Sequence, residues 1–383
     1  MKTLITNAKV VTADKVIENG SLAFENGYIT AIGVVDNADV IIDAEGKYLV
    51  PGFVDMHCHG ACGVVFNDAS EKDNINISAY HLSHGTTTML ASTSTALMPD
   101  LERALDVLVD GMHRGVYANI AGIFMEGPWL STESSGAQAA SLMRKPSAED
   151  VKYLKNKYPE ILRLGVAPEE PGGIDMGREG GALGILMSMA HTSATFAETE
   201  EAFANNYKLL THFYCAMKGV ERKNAYRIAG AVEAGYYLDD MFVEIIADGR
   251  HLPIELLKLI YKIKGADRIA LVTDATRATG MPDGSITKNV SGTADIMVED
   301  GVAKAMDRSH FAGSAATTDR LYRTMENAIG RDMVALSRMA SLTPARLMGF
   351  SDRGELAVGK RADMILLDDS LCVKTVFLKG NAV

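Results

Sequence analysis

Hydrophobic and polar positions follow two different rhythms along the chain. Up to residue 52, short apolar runs at Leu4-Ile5, Ala8–Val11, Ser21–Phe24, Ile29–Val34 and Val40–Ile42 are separated by turn residues. Runs of this length predict strands, and Glu25-Asn26-Gly27 predicts a hairpin, because Asn-Gly accepts the positive φ values of a type I′ turn. This part reads as a small antiparallel β unit. From residue 53, short apolar runs alternate with amphipathic helical stretches. The runs predict eight strands, at Phe53–His57, Thr87–Ala91, Ile120–Met125, Ile161–Ala167, Leu183–Met189, Lys208–His212, Met241–Ala247 and Arg268–Thr273. Ser147-Ala148-Glu149-Asp150 and Thr195-Phe196-Ala197-Glu198 predict capping boxes at two helix starts. Pro253 fits the first turn of a helix running to Lys264, where its missing N–H costs little. Strand–helix units in this number imply an α/β fold, a (β/α)8 TIM barrel with its site at the C-terminal strand ends. Ile296–Lys304 predicts a further hairpin around Asp300-Gly301, helices follow from about Ser314 to Met348, and strand character returns at Met364–Leu367 and Thr375–Leu378. The expected organisation is a composite β-sandwich from residues 1–52 plus 350–383, beside a barrel over 53–349.

Composition narrows the classes. At 383 residues with 47% hydrophobic and 23% charged content, the chain can bury a large core. A formal charge of −11 argues against nucleic acid and against an anionic membrane surface as partners, but leaves room for an anionic small substrate that sees local charge. Cys58, Cys62, Cys215 and Cys372 form no CxxC pair, so a reducing cytoplasm is the expected compartment. No stretch predicts a signal peptide or a bilayer span.

Ionisable residues cluster where the predicted strands end. His57 and His59 follow the first, and their i, i+2 spacing puts both imidazoles on one face of a strand. Glu126 follows the third strand, His191 the fifth, His212 ends the sixth, Asp248 and His251 follow the seventh, and Asp274 follows the eighth. Any one of them alone reads as a loop residue or helix cap. In a closed barrel, however, all would meet at one mouth. Imidazole and carboxylate without thiolate suit a divalent metal: Zn, Fe, Mn or Co. Glu126, His191 and His212 would form a three-ligand site with an open position, the pattern of a catalytic metal. His57 and His59 could hold a second ion with Glu126 bridging. A metal lowers the pKa of bound water to about 7. Asp274 is then placed to take the water proton and later deliver it to a leaving group, and His251 to polarise or orient a carbonyl.

The ordered set of segments resembles the amidohydrolase superfamily and, within it, the N-acetylglucosamine-6-phosphate deacetylase family. The segments are Pro51–Asp55 with His57/His59, Gly85–Thr88, Met125–Trp129, Ala167–Glu169, His191–Thr195, Thr211-His212 with Ala216-Met217, Ala247–Gly249 with His251, Leu271–Ala275, Ala312–Ser314 and the tail Gly354–Asp363. The resemblance covers essentially the whole chain. It implies hydrolysis of the acetamide of an N-acetyl amino sugar 6-phosphate to acetate and a free amine, one or two metals per subunit, and a homodimer. It further implies that His251, Asp248 and Gly249 lie against the sugar and acetamide, and that Phe311, Ala312 and Gly313 close another side.

The departures from the family fall where it holds phosphate. Cys215-Ala216-Met217 stands for Asn-Ala-Met, and Gly136-Ala137-Gln138 for Gly-Ala-His. Glu221–Arg227, with Arg222, Lys223 and Arg227, stands for an Arg-Glu-Pro-Gly stretch whose arginine often reaches phosphate across a dimer. Lys218, Arg222, Lys223 and Arg227 could still bind phosphate, or could form a solvated face. Alternatively the substrate is a different or unphosphorylated N-acyl amino sugar, such as an N-acetylgalactosamine type. Two further classes compete. A cyclic-amide hydrolase usually needs a carboxylated lysine at the fourth strand end, where this chain has Ala167-Pro168-Glu169. A non-catalytic binding barrel would be marked by loss of Asp274 or a metal histidine, and all are present.

Overall fold

The computed structural model describes residues 1–33, 35 and 37–383. Eight parallel strands, which we number β1 to β8, are Phe53–Cys58, Thr86–Thr93, Ile120–Glu126, Ile161–Val166, Leu186–Met189, Tyr207–Leu210, Phe242–Ile245 and Ile269–Leu271. They pair in sequence order. A helix separates each consecutive pair, as parallel crossovers require. Both faces of such a sheet are covered, so its strands read as near-continuous apolar runs. β2 is buried at every position. A set of side chains including Met56, Leu90, Phe124, Leu209 and Val272 forms one core, and the strand–helix layer forms a larger one.

The ring closes through the segment after β8. Asp274 N donates to His57 O at 2.9 Å and His59 N donates to Ala275 O at 2.8 Å. The Thr273 hydroxyl donates to the Asp55 carboxylate at 2.6 Å. Asp55 is fully buried, and burial pushes its pKa up to about 6. These bonds fix the last strand end against the first, which sets Asp274 beside His57 and His59.

Both chain ends share one sheet. Thr3–Val11 pairs antiparallel with Val16–Glu25 and parallel with Val40–Asp43 and Tyr48–Pro51. Met364–Leu367 then pairs antiparallel with Tyr48–Pro51 and with Val373–Leu378. Pairing is therefore mixed rather than purely antiparallel. Leu4-Ile5 and Ala8–Val11 belong to one strand, interrupted by a register shift where Asn7 has φ +52°. The strand expected at Ile29–Val34 spans Tyr28–Ile32, and Val34 lies outside the described residues. Asn26 and Gly27 have φ +51° and +83°, as the expected hairpin turn demands. Ile5, Val10, Leu22, Phe24, Leu49, Met364 and Phe377 give this sheet a core of its own. Tyr48–Pro51 runs into β1 through Gly52, where a Cβ would lie 2.1 Å from Thr87 Oγ1. Only glycine fits there.

The insertion after β8 is a four-stranded antiparallel sheet: Ile286–Lys288, Asp295–Glu299, Val302–Ala305 and Phe311–Ser314. Ser314 ties it to the barrel, with its N–H donating to Asp274 O at 2.9 Å and its hydroxyl to Thr273 O at 2.5 Å. Thr195 and Glu198 form the expected capping box. Ser147 caps its helix alone, accepting from Glu149 N, because Asp150 accepts instead from the Trp129 indole N–H at 2.9 Å. Pro253 is the N-cap of Ile254–Lys264, one position before the first turn. Among the described residues, no helix is long and apolar enough to cross a membrane.

Candidate active site

Strand geometry brings the expected ligands together. β1 carries His57 and His59 follows its last residue, β3 ends at Glu126, and His191, His212 and Asp274 follow β5, β6 and β8. His191, His212 and Asp274 have φ of +45°, +32° and +46°. Left-handed backbone at non-glycine residues costs on the order of 1–3 kcal/mol each and persists where the surroundings over-determine it. Here the His212 N–H donates to Glu244 Oε1 at 2.9 Å, and Asp274 N is bonded across the barrel closure. Gly127 follows Glu126 with φ +89°, and a Cβ there would lie 2.5 Å from Thr95 Oγ1.

The metal-type side chains form one continuous cage. Glu126 Oε1 lies 2.9 Å from His212 Nε2, 3.4 Å from His191 Nε2 and 3.6 Å from His57 Nε2. Its Oε2 lies 3.3 Å from His59 Nε2. Asp274 Oδ1 is 3.4 Å from both His57 Nε2 and His59 Nε2. Two three-ligand groups result, His57/His59/Glu126 and Glu126/His191/His212, with Glu126 common to both. All six residues are buried, Asp274 the least so at 9% exposure.

The tautomers explain what the cage is for. Each Nδ1 already has an acceptor: Glu244 for His57, Ser92 O for His59, Ser134 O for His191 and Cys215 O for His212. A neutral imidazole that donates at Nδ1 carries a lone pair at Nε2. His57 and His59 then face each other Nε2 to Nε2 at 3.0 Å, and His191 and His212 at 3.3 Å. Lone pair against lone pair is repulsive unless a cation or proton lies between. Burial lowers the His57 pKa, but the Glu244, Asp274 and Glu126 charges outweigh it and the net shift is upward. His59 and His212 are raised in the same way, with Glu126 the main counterweight to burial. Burial would raise the Glu126 carboxyl, yet His191 and His57 hold it well below the usual range. The cage thus attracts positive charge, and its all N/O donor set fits a divalent metal.

A cavity of about 410 Å³ opens over the cage. His59, Glu126, His191, His212, Asp274 and His251 line its floor and wall, with Ala137, Gln138, Cys215, Ala216, Phe311 and Gly313 around them. His251 donates or shares its Nδ1 proton with Asp248 Oδ2 at 2.8 Å, and its ring lies 4.6 Å from that of Phe311. Gln138 also braces the cage, since its amide donates to Glu126 Oε2 at 2.6 Å while its oxygen accepts from Thr95 N.

Other expected contacts lie elsewhere. Asp248 sits behind His251 rather than on the cavity, because two backbone N–H groups and the imidazole take its carboxylate. Gly249 is off the cavity beside Thr324, and Ala312 packs into the core of the insertion. Arg222, Lys223 and Arg227 are exposed on a hairpin, Glu221–Lys223 with Tyr226–Ile228, and do not line this chain's cavity. Lys218 is paired with Glu133 at 2.9 Å. In their place the cavity wall carries Arg308, Ser309 and His310, which sequence reasoning missed. Their signal was position, immediately before Phe311-Ala312-Gly313. Also missed were Glu244 on β7 and Arg163 on β4, both fully buried and 2.6 Å apart. A charge inside an apolar parallel strand was the available clue.

Comparison with known proteins agrees with this geometry. Residues 48–383 match the Amidohydrolase family. An N-acetylglucosamine-6-phosphate deacetylase from Vibrio furnissii is 31% identical over 94% of this chain and 89% of its own length. An N-acetylgalactosamine-6-phosphate deacetylase from Escherichia coli O157:H7 is 29% identical, covering 97% of each chain. Among solved structures, an N-acetyl-D-glucosamine-6-phosphate deacetylase mutant from Mycobacterium smegmatis, in complex with N-acetyl-D-glucosamine-6-phosphate, superposes with a TM-score of 0.89 at 31% identity. It covers 100% of this chain and 99% of its own. With the family match running across most of the chain and the buried histidine–carboxylate cage standing at the barrel mouth, the chain belongs to the amidohydrolase family.

Proposed function

We propose that the chain is a metal-dependent deacetylase of N-acetyl amino sugar 6-phosphates, converting N-acetylglucosamine-6-phosphate and water to glucosamine-6-phosphate and acetate. The observation that carries this is the convergence of four imidazole Nε2 atoms and Glu126 below one cavity, with Asp274 beside them. Glu126, His191 and His212 would hold the main ion and His57 with His59 a second, zinc being our choice from the donor set. The metal supplies Lewis-acid activation of water and of the amide carbonyl. Asp274 takes the proton of the attacking water and returns it to the departing sugar nitrogen. His251, held through Nδ1 by Asp248, keeps Nε2 for the acetamide or a sugar hydroxyl. The Phe311 ring lies tilted against it at 4.6 Å and lines the same cavity.

Two features support the remaining assignments. The terminal sheet has its own core, which supports a unit of residues 1–52 with 350–383 beside a catalytic unit of 53–349. The exposed hairpin with Arg222, Lys223 and Arg227 supports a homodimer in which it reaches the partner's cavity. Four free cysteines agree with a cytoplasmic setting. The test is acetate release from N-acetylglucosamine and N-acetylgalactosamine, each with and without 6-phosphate. Turnover should require the phosphate and a bound metal; equal kcat/KM for phosphorylated and free sugars would refute the substrate assignment.

A further inference from the structure

The four cage histidines are not held alike. His59, His191 and His212 donate Nδ1–H to neutral backbone carbonyls, whereas His57 donates to a carboxylate, Glu244 Oε1, at 2.7 Å. The same oxygen accepts the His212 N–H at 2.9 Å, so one atom touches a ligand from each half of the cage. Glu244 Oε2 is gripped by Arg163 Nη1 at 2.6 Å. Arg163 is in turn fixed by Ser188 Oγ at 3.1 Å, Met56 O at 3.1 Å and Thr211 Oγ1 at 2.9 Å. Its guanidinium carbon lies 3.8 Å over the Phe124 ring, and that ring meets His57 edge-on at 4.8 Å.

Stability does not account for this pair. A buried ion pair replaced by apolar groups of similar volume is often neutral or gains about 1–4 kcal/mol. The neighbouring interior positions Met56, Leu90, Leu209 and Ile246 show that this barrel accepts apolar filling. A carboxylate behind a ligand imidazole does have a known physical effect: it fixes the tautomer and raises the basicity of the other nitrogen. We propose that Glu244, locked by Arg163, is the positioning residue that makes the His57 and His59 side of the cage a metal site in its own right. Glu244 thereby strengthens the second of the two ions proposed above selectively over the first. This rests on the cage being a metal centre but not on the identity of the substrate.

The test is zinc titration of the metal-stripped full-length protein, read by elemental analysis after dialysis and by the visible absorption of the cobalt(II)-substituted form. Wild type should bind two equivalents. Glu244→Gln keeps an acceptor for His57 but removes the charge. It should weaken the second equivalent about 10- to 100-fold and leave the first within about threefold. Arg163→Met/Glu244→Gln removes both charges without leaving either partner unpaired and keeps an acceptor for His57 and for the His212 N–H; it should show the same selective weakening of the second equivalent and of its share of the cobalt spectrum. One equivalent in wild type, unchanged affinity in both variants, or parallel loss of both equivalents, as general unfolding gives, would overturn the proposal. Failure of every sugar substrate alongside the expected stoichiometry would overturn the deacetylase reading instead and leave this one standing.

Discussion

Replacing Asp274 by Asn separates proton transfer from architecture. Asp274 has φ +46°, a conformation that Asn adopts as readily as Asp, so the substitution adds no backbone strain. Its two structural bonds are made by the main chain, its N–H to His57 O and its carbonyl accepting from Ser314 N, both 2.9 Å, and neither changes. The side-chain oxygen stands 3.4 Å from His57 and His59 Nε2, beyond a normal hydrogen bond, so little folding energy is lost. We expect stability within about 0.5 kcal/mol of wild type. What disappears is the proton acceptor. A positioned general base contributes roughly 10²- to 10⁴-fold, which at about 1.4 kcal/mol per decade is about 3–5.5 kcal/mol of transition-state stabilisation. The loss should appear in kcat with KM nearly unchanged, since the cavity walls are untouched. Steady-state acetate release on the zinc-loaded variant, with metal content and thermal midpoint measured on the same sample, provides the numbers. A kcat within tenfold of wild type at full metal loading would refute the base assignment. A kcat that falls only in step with lost metal would make Asp274 a ligand rather than a base.

His212→Ala removes a ligand bonded to Glu126 at 2.9 Å, and we expect elemental analysis to find the main metal gone and acetate release abolished. Arg163→Met strands the buried Glu244 carboxylate and should cost about 3–5 kcal/mol in urea unfolding of the metal-stripped protein. Arg163→Met/Glu244→Gln should recover at least about 1 kcal/mol of that, and no recovery would argue against charge as the cause. His81 is fully buried, and burial pushes its pKa down from 6.5 to about 4. The unfolded chain takes that proton below pH 6.5 while the folded chain resists it until about 4. Stability is therefore complete above 6.5 and falls as pH drops through this window, by roughly 3 kcal/mol. His81→Gln should flatten the difference between unfolding curves at pH 7 and pH 4.5; an unchanged slope would refute it.

The barrel was legible because strands buried on both faces leave uninterrupted apolar runs, and because a parallel barrel sends every strand end to one rim. That logic carried His57, His59, Glu126, His191, His212 and Asp274 to one place from separate positions along the chain. It could not supply partners across the barrel. Glu244 stands out in Phe242–Ile245 as a charge, but its mate is 81 residues away, on β4, with β5 and β6 between them in the sheet. Arg222, Lys223 and Arg227 were visible as a basic cluster, yet sequence proximity to His212 did not bring them to its cavity, because a short hairpin carries them into solvent. Arg308, Ser309 and His310 arrive through the fold of the insertion, whose return strand Phe311–Ser314 is pinned to Asp274 by one serine. Ser147 shows the local version of the problem. Its expected box partner, Asp150, meets the spacing but is claimed by Trp129.

The sheet shared by both termini has a consequence for biosynthesis. Among the described residues, Tyr48–Pro51 pairs antiparallel only with Met364–Leu367. At translation rates of about 5–20 residues per second, roughly 15–60 s pass between the emergence of the two. Throughout that interval the apolar faces of Leu49, Leu22 and Phe24 lack the Met364 and Phe377 side of their core. A nascent chain stalled or cleaved before residue 364 would expose an unfinished β edge to its neighbours on the polysome, and ribosome-proximal chaperones would have a defined stretch to shield.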